Sequence, residues 1–403
     1  MTTVPLTNST KSLPKLKTRI LLLSDTHSAL PVSSTQDEYP FCHPFPPADI
    51  AIHSGDLTST GKFAEHKRAL QLLHSIPAPL KIVIPGNHDL TLDKSYCATH
   101  PVLYGWKRPH TPSDLSQVLN LYTNKSATDA GIIYIVEGKH TFCIPNGAKL
   151  TVYVSAYTPE FCDWGFAYTR EIDLFNASME RMPKHPIPDY DEDDFNDGGS
   201  SNEIMVMITH GPPEGILDTT TRGENVGCGH LMKAVSRCRP ILHCFGHIHE
   251  GWGSEKRMWP WQRENREIES SERSLRIDEQ IAREKGLQGE EMGRHNHWQA
   301  NRRGTIEKMK RTLEDKIRYA DDESSQVSDN DLIALTEKQK ENVAYLDATA
   351  VKHGVETVFV NASIMDVGYS PCQKPWIVDL LLPAASDEDK RNPRFSIHVA
   401  RHE

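Results

Sequence analysis

Short apolar runs that stop abruptly recur along the first part of the chain. Three of them, at 18–23, 49–53 and 81–85, are rich in Ile, Leu and Val and are each followed by small or polar residues. Runs of this length and composition predict buried strands. A helical pattern of apolar positions at 62–76 lies between the second and third runs and indicates a β-α-β crossover between parallel strands. The polar residues after the runs are therefore expected at one edge of a sheet, where ligands bind in open α/β sheets.

The same arrangement returns later in the chain. Apolar runs at 203–209 and 240–245 also end in polar residues. Six further runs have the pattern of antiparallel strands, at 131–136, 141–144, 149–156, 356–361, 376–382 and 394–399. This amount of strand is sufficient for two packed sheets, so the chain is predicted to have an α/β fold.

Two stretches do not fit a sheet. Residues 186–201 contain six acidic residues and predict an exposed acidic loop. Residues 255–320 contain 29 charged residues in 66 and few β-branched ones, which indicates helix or partial disorder. We therefore predict a single domain formed by 18–254 and 351–400, a flexible N-terminus at 1–17 and a charged insertion at 255–350. A solvated helical arm is favoured for the insertion, and the alternatives are a docking surface for an acidic protein partner or a lid over the site.

Composition and charge exclude several classes of protein. The chain has 403 residues, 37% of them hydrophobic, but no run approaches the roughly 18 apolar residues that span a bilayer. The polar first residues and the short run 20–23 argue against a signal peptide, so a cytoplasmic location without membrane association is expected. A net charge of −10 argues against stable binding of nucleic acid. The eight cysteines form no CxxC pair, which argues against a zinc knuckle or a redox dithiol.

The predicted strand ends share one property, which is that each offers an oxygen or imidazole metal ligand. The candidate ligands are Asp25, His27, Asp56, Asn87, His210, His247 and His249. A single Asp or His at a strand end is more often structural, but chance is a poor explanation for the whole ordered series. Imidazole, carboxylate and amide ligands without thiolate suit two divalent ions such as Mn, Fe, Zn or Co, with Mn favoured. A carboxylate can contact two ions at once, so Asp56, in the middle of the series, is the natural shared ligand.

The series also resembles the five-block signature of a known superfamily. The blocks Asp25-x-His27, Gly55-Asp56, Gly86-Asn87-His88-Asp89, His210 and Gly246-His247-Ile248-His249 are similar to those of the calcineurin-like metallophosphoesterases, in the same order. The phrases at 209–213, 245–253 and 360–363 resemble the metallophosphoesterase domain-containing (MPPED, or 239FB) family. The resemblance covers about three quarters of the chain and leaves the charged stretch as an addition.

The resemblance implies a fold and a site. The fold would be a four-layer α-β-β-α sandwich of the calcineurin-like type. One metal would take Asp25, His27, Asp56 and His249, and the other would take Asp56, Asn87, His210 and His247. His88 would face the substrate and protonate the leaving oxygen, and Asp89 would orient the His88 ring. Some animal members carry glycine at the position of His247, so the histidine here favours a complete two-metal centre.

The implied activity is that of a metal-dependent phosphoesterase. A hydroxide bridging two divalent metals would attack a small phosphate ester, with a phosphodiester favoured over a phosphomonoester. Serine/threonine protein phosphatases continue the Gly-Asp block with Asp-Arg-Gly, whereas Leu57 follows Asp56 here. The alternative is a non-catalytic or weakly active metal-binding scaffold that acts through the insertion at 255–350.

Two further residues are weaker candidates for substrate binding. Trp164 lies in an aromatic stretch at 161–168 that would stack a nucleobase or an aromatic ester group, although a hydrophobic plug under a loop is the favoured interpretation. Asn361 follows a strand and would reach the phosphate, but a role in forming a turn is equally expected. His53 and His243 lie within apolar runs and are interpreted as buried structural histidines.

Overall fold

The computed structural model describes residues 14–33, 40–177, 184–185, 187, 203–259, 271–277, 280, 299–311, 327–328 and 342–391. The chain divides into two compact units, Met1–Arg257 with Gln326–Glu403, and Met258–Ser325. Within the second unit the described residues at 271–277 and 299–311 are helical. Lys310 pairs with Glu272 at 3.0 Å and the Arg302 guanidinium donates to Ser274 Oγ at 3.0 Å.

The strands are β1 (Lys15–Leu23), β2 (Ile50–His53), β3 (Leu80–Val83), β4 (Ile132–Tyr134), β5 (Glu137–Cys143), β6 (Lys149–Ser155), β7 (Thr158–Pro159), β8 (Ala167–Tyr168), β9 (Val206–Thr209), β10 (Leu242–Phe245), β11 (Gly253–Met258), β12 (Val327–Ser328), β13 (Ala344–Asp347), β14 (Glu356–Asn361) and β15 (Trp376–Pro383). The helices are α1 (Phe63–Ser75), α2 (Lys94–Thr99), α3 (Pro112–Thr123), α4 (Lys125–Asp129), α5 (Gly229–Cys238) and α6 (Asp387–Arg391).

Two sheets carry the fold. The first has the order β13-β15-β1-β2-β3-β4, with β12 beside β1, and the second has the order β11-β14-β10-β9-β6-β5. In the first sheet β1, β2, β3 and β4 are parallel and β15 is antiparallel to β1. In the second sheet β6, β9, β10 and β14 are parallel, and β5 is antiparallel to β6. Each sheet therefore presents the C-terminal ends of several parallel strands at one edge.

The predicted direction of two strands was wrong, and that of a third was right for only one of its two neighbours. The runs at 131–136 and 356–361 form β4 and β14, which are parallel to their neighbours β3 and β10. The run at 149–156 forms β6, which is antiparallel to β5 but parallel to β9. All seven residues of β6 and five of the six in β14 are buried, and a run buried on both faces has no alternation that would indicate direction. The run predicted at 394–399 lies outside the described residues.

The main core lies between the two sheets. Ile20 and Ile52 from the first sheet share one apolar cluster with Val154, Ile208 and Val360 from the second. Alternate residues of a strand point to opposite faces, so the neighbours of these residues must be covered by other elements.

Helices cover the outer faces of both sheets. Leu21 and Val83 of the first sheet pack with Leu73 of α1 and Tyr122 of α3 in a second cluster. On the other side α5 connects β9 to its parallel neighbour β10 and buries an apolar face, as a crossover helix does. The predicted α-β-β-α sandwich is confirmed.

The boundaries predicted for the charged insertion stay a prediction. Strand β13, at Ala344–Asp347, pairs with β15 of the first sheet although it lies within the range 255–350. Of the acidic loop predicted at 186–201, only Ile187 lies within the described residues. In the part of the chain that the structure describes, no helix is long and apolar enough to cross a membrane.

Candidate metal centre

All seven predicted metal ligands follow the C-terminal ends of parallel strands. Asp25 and His27 follow β1, Asp56 follows β2 and Asn87 follows β3 in the first sheet. In the second sheet His210 follows β9, and both His247 and His249 follow β10. The backbone turns sharply at these points, with φ values of 51° at Asp25, 53° at Asp56 and 69° at His247. Left-handed backbone is uncommon for residues with side chains and clusters at functional sites.

One group of buried side chains could hold a metal ion between the two sheets. Its members Asp25, His27 and His249 place their ligand atoms within 4.8 Å of one another. His249 Nε2 lies 3.5 Å from Asp25 Oδ1. The Asp25 carboxylate also accepts hydrogen bonds from Ser363 Oγ at 2.8 Å and from the backbone N–H of His247 at 3.0 Å. These bonds fix the carboxylate in position.

A second group lies beside the first. Its members Asp56, His210 and His247 also place their ligand atoms within 4.8 Å of one another. His210 Nε2 lies 3.4 Å from Asp56 Oδ1 and 2.8 Å from Asn87 Oδ1. The amide oxygen of Asn87 therefore lies beside this group, and its role as a ligand stays a prediction.

The Asp56 carboxylate lies between the two groups. Its Oδ2 atom is 3.7 Å from His27 Nε2, and its Oδ1 atom is 3.4 Å from His210 Nε2. One oxygen thus faces each group, which is the arrangement that a shared ligand requires. The Oδ1 atom also accepts the backbone N–H of His88 at 2.8 Å.

The histidines are held in the tautomer that metal binding needs. Nδ1 of His27 lies 3.1 Å from the carbonyl of Thr58, and Nδ1 of His210 lies 2.9 Å from that of Ser54. A carbonyl only accepts, so Nδ1 carries a proton in both rings, and Nε2 is the nitrogen that would meet a metal. His27 Nε2 is buried and has no hydrogen-bond partner among the described residues. A buried lone pair without a partner is costly, and a divalent cation would satisfy it. The residues present therefore fit a metal.

The electrostatics of the site also favour a cation. Burial would raise the pKa of Asp25, but the hydrogen bond from His249 and the nearby charge of His210 lower it below its usual range. Burial would lower the pKa of His210, but the adjacent Asp56 raises it to about 9. In His27, by contrast, burial dominates and lowers the pKa to about 4. Without a metal, the two buried carboxylates thus draw protons onto neighbouring imidazoles, and bound cations would take the place of those protons.

His88 lies beside the ligands, and the structure corrects the expectation for its partner. Its Nδ1 atom is 3.0 Å from the carbonyl of Ser59, which leaves Nε2 directed away from that contact. Asp89 does not orient the ring as expected. Its carboxylate accepts hydrogen bonds from the backbone N–H groups of Leu57, Thr58 and Gly86 and from the Thr58 hydroxyl, at 2.7–3.1 Å. His88 and Asp89 are adjacent, but their side chains point in different directions after β3. Asp89 therefore stabilises the turns at Gly86 and at Leu57–Thr58 instead of the His88 ring.

The two weaker candidates have different outcomes. The ring of Trp164 packs on His88 with centroids 4.0 Å apart, so it lies beside the centre. Asn361 is fully buried. Its Nδ2 atom donates to the carbonyl of Ile248 at 2.8 Å and its Oδ1 accepts the N–H of Ser363 at 3.1 Å. Asn361 therefore braces the turn that carries His247 and His249, which favours its structural role, and its contact with a phosphate stays a prediction.

Sequence reasoning missed Tyr369. Its hydroxyl lies 3.4 Å from Nε2 of His88, and its ring contacts His27 and His249 with centroids 4.8 Å and 5.3 Å apart. The same turn supplies the carbonyl of Asp366, which lies 2.9 Å from His249 Nδ1. The turn has no strand or helix periodicity, so only its position just after the 360–363 phrase could have directed attention to it.

The comparisons with known proteins agree with this geometry. A family model described as calcineurin-like phosphoesterase matches residues 18–251. The chain therefore belongs to the calcineurin-like phosphoesterase family. It is 33% identical over 239 residues to Metallophosphoesterase domain-containing protein 1 of Homo sapiens and to the protein of the same name of Mus musculus. The matched region covers 59% of this chain and 62% of each of these relatives. It is also 30% identical over 246 residues to Probable rhamnogalacturonate lyase C of Emericella nidulans, covering 60% of this chain and 18% of that protein.

Proposed function

We propose that the chain is a metal-dependent phosphoesterase that hydrolyses a small phosphodiester at a centre of two divalent ions. The observation that carries the proposal is the Asp56 carboxylate, which directs one oxygen to each of two buried ligand groups. Membership of the family supports phosphoester chemistry. The proposal of a small-molecule substrate is based on the residues after Asp56, which differ from those of protein phosphatases.

Each ion would have four protein ligands. The first would be held by Asp25, His27, Asp56 and His249, and the second by Asp56, Asn87, His210 and His247. Such a set of imidazoles and oxygens without thiolate suits Mn, which we favour, and also Fe, Zn or Co. When bound, two divalent ions lower the pKa of a water and stabilise negative charge on a phosphoryl group.

The chain itself supplies the proton for the leaving group. Because the Ser59 carbonyl fixes Nδ1 of His88, Nε2 is the nitrogen that would give a proton to the departing ester oxygen. Nε2 lies on the side of the ring that Tyr369 approaches, beside His27 of the first ligand group. His88 is largely buried, so its proton is shielded from bulk water.

The test measures metal content and hydrolysis together. Purified protein loaded with Mn should hold two ions per chain and hydrolyse bis(4-nitrophenyl) phosphate faster than 4-nitrophenyl phosphate. His88→Ala should lower kcat by roughly 10²- to 10⁴-fold with both ions retained, since a general acid contributes a factor of this size. Asp56→Asn should lose both ions, and His74→Ala, at an exposed histidine of α1, is the matched control that should change neither property.

Other outcomes would refute particular parts of the proposal. Two ions retained in Asp56→Asn would refute the bridging role, and loss of metal in His88→Ala would refute its role as an acid. Wild-type protein without full occupancy or turnover would favour the scaffold that acts through residues 255–350. A protein partner at that insertion and a cytoplasmic location stay predictions from the sequence.

A further inference from the structure

Three aromatic rings lie around His88 at the candidate centre. Trp164 approaches the ring face of His88, with centroids 4.0 Å apart and planes tilted by 35°. Tyr369 meets the same ring edge-on, with centroids 6.0 Å apart, at the Nε2 side. Tyr104 packs against Trp164 with centroids 5.1 Å apart. Trp164 and Tyr369 therefore border the His88 ring, whose Nε2 would protonate a leaving group, and Tyr104 extends this aromatic surface beyond Trp164.

These rings do not behave as a buried plug. Tyr104 is 66% exposed and Tyr369 is 50% exposed. Trp164 is half-buried, and it packs on one side against a small apolar cluster of Leu90, Cys97 and Leu103. Exposed aromatic surface of this kind adds nothing to the core and marks a binding surface when it adjoins a functional site.

The loops that carry two of the rings are tied to metal-ligand residues. The backbone N–H of Gly165, next to Trp164, donates to the carbonyl of Asn87 at 3.0 Å. On the other side the carbonyl of Asp366 accepts from Nδ1 of His249 at 2.9 Å, and Asp366 also accepts the N–H of Tyr369 at 3.0 Å. Both rings are thus held in a fixed relation to the ligands, as a preorganised subsite requires.

Backbone turns on both loops are built for these positions. Tyr369 has a left-handed backbone with φ of 59°, stabilised by Asp366 Oδ1, which accepts the N–H groups of Gly368 and Ser370. The other loop has φ of 53° at Asp163, whose carbonyl accepts the hydroxyl of Tyr96 at 3.0 Å. Such conformations persist only where the surrounding contacts maintain them.

We propose that Tyr104, Trp164 and Tyr369 form a subsite for a planar aromatic group on the leaving side of the phosphoester. This inference rests on the proposed function and adds the class of substrate. Trp164 packs on the His88 ring and the Tyr369 hydroxyl lies 3.4 Å from Nε2, so the group attached to the protonated ester oxygen would lie among the three rings. Flat aromatic groups stack on such rings with little dependence on their polar substituents.

The test compares phenylphosphonate with methylphosphonate as ligands of the Mn-loaded protein. Both offer the same phosphonate to the metals, and only the first has a ring, so the ratio of their Kd values isolates the subsite. Calorimetry should show phenylphosphonate binding at least about tenfold tighter, within the range expected for one stacked ring. Trp164→Leu and Tyr369→Leu should each reduce this ratio severalfold and leave the Kd of methylphosphonate and the metal content unchanged.

Two control variants separate the ring from other effects. Tyr369→Phe keeps the ring without the hydroxyl and should keep the ratio. Tyr345→Leu removes a comparable ring, 46% exposed, from strand β13 and should also keep it. Tyr369 lies on an exposed turn, so its leucine variant tests the inference even if Trp164→Leu does not fold.

Each remaining outcome overturns a stated part of the inference. Equal binding of the two phosphonates by the wild-type protein would refute the subsite and leave the metal centre intact. An unchanged ratio in Trp164→Leu and Tyr369→Leu would show that the ring binds elsewhere. Failure of both phosphonates to bind would refute the proposed centre, and the subsite with it.

Discussion

Replacement of Gly55 by alanine is expected to remove one metal ion and leave the other. Gly55 precedes Asp56 and has φ of +107°, and a Cβ atom there would lie 2.5 Å from Nδ1 of His210 and 2.9 Å from the carbonyl oxygen of Pro85. Ordinary contact begins at 3.4 Å, so the imidazole must move by about 0.9 Å. Metal–ligand distances tolerate deviations of only about 0.2 Å, so the group of Asp56, His210 and His247 should lose its ion.

The stability cost of this substitution has two parts. A left-handed backbone at alanine costs roughly 1–2 kcal/mol. The clash with His210 adds about 1–3 kcal/mol, as overpacking of a well-packed interior does. Gly223→Ala is the matched control, because Gly223 has φ of +76° but no atom within 4 Å of the added Cβ. It should show the first cost without the second.

The assay measures metal per chain after gel filtration and the free energy of unfolding of metal-free protein in urea. We expect two ions per chain in the wild type and in Gly223→Ala, and one in Gly55→Ala. The free energy of unfolding of Gly55→Ala should be lower than that of Gly223→Ala by the cost of overpacking. If Gly55→Ala kept two ions and lost no more stability than Gly223→Ala, the close approach of His210 to this turn would be refuted.

Three further perturbations test the surroundings of the centre. Asp25 and Asp56 raise the pKa values of His249 and His210 from 6.5 to about 9. The stability that these two histidines give to metal-free protein is therefore fully present below pH 6.5 and is lost as the pH rises through 9. The Tm of metal-free protein should fall across this window, and a Tm that does not change with pH would contradict the assignment. Asp89→Asn places an amide group among backbone N–H donors and should lower the free energy of unfolding by about 1–3 kcal/mol. Asp387→Asn, at an exposed position, should change it little. Ser363→Ala removes the hydrogen bond to the Asp25 carboxylate of the first ligand group and should weaken one of two metal affinities by about tenfold or more. Titration against a chelator measures both affinities, and two unchanged values would show that the bond is unimportant.

The ligand positions were predictable because they lie directly after strands. Asp25, Asp56 and His210 each follow an apolar run within one to three residues, and parallel strand ends meet at one edge of a sheet. The helical pattern at 62–76 likewise predicted α1 to within a residue at each end. These features are local, so periodicity and spacing are sufficient to indicate them.

The parts that could not be predicted depend on contacts between distant segments. Strand direction in β4 and β14 is set by the neighbours that they pair with, which an apolar run does not encode. The role of Asp89 depends on the turn after Asp56, which brings the backbone of Leu57 and Thr58 onto its carboxylate. Tyr369 reaches His88 across 281 residues from an irregular turn, so no local pattern marks it.

The two ligand groups combine residues from both sheets, and this has a consequence for the order of folding. Asp25 and the backbone of His247 are 222 residues apart in the chain, and Asp25 and Ser363 are 338 apart. Closing such long loops is slow and must be achieved before their contacts can stabilise anything. An ion that needs ligands from both sheets therefore cannot nucleate the fold, because its ligands meet only after both sheets have formed and packed. Metal uptake would then be a late event that locks a nearly finished structure.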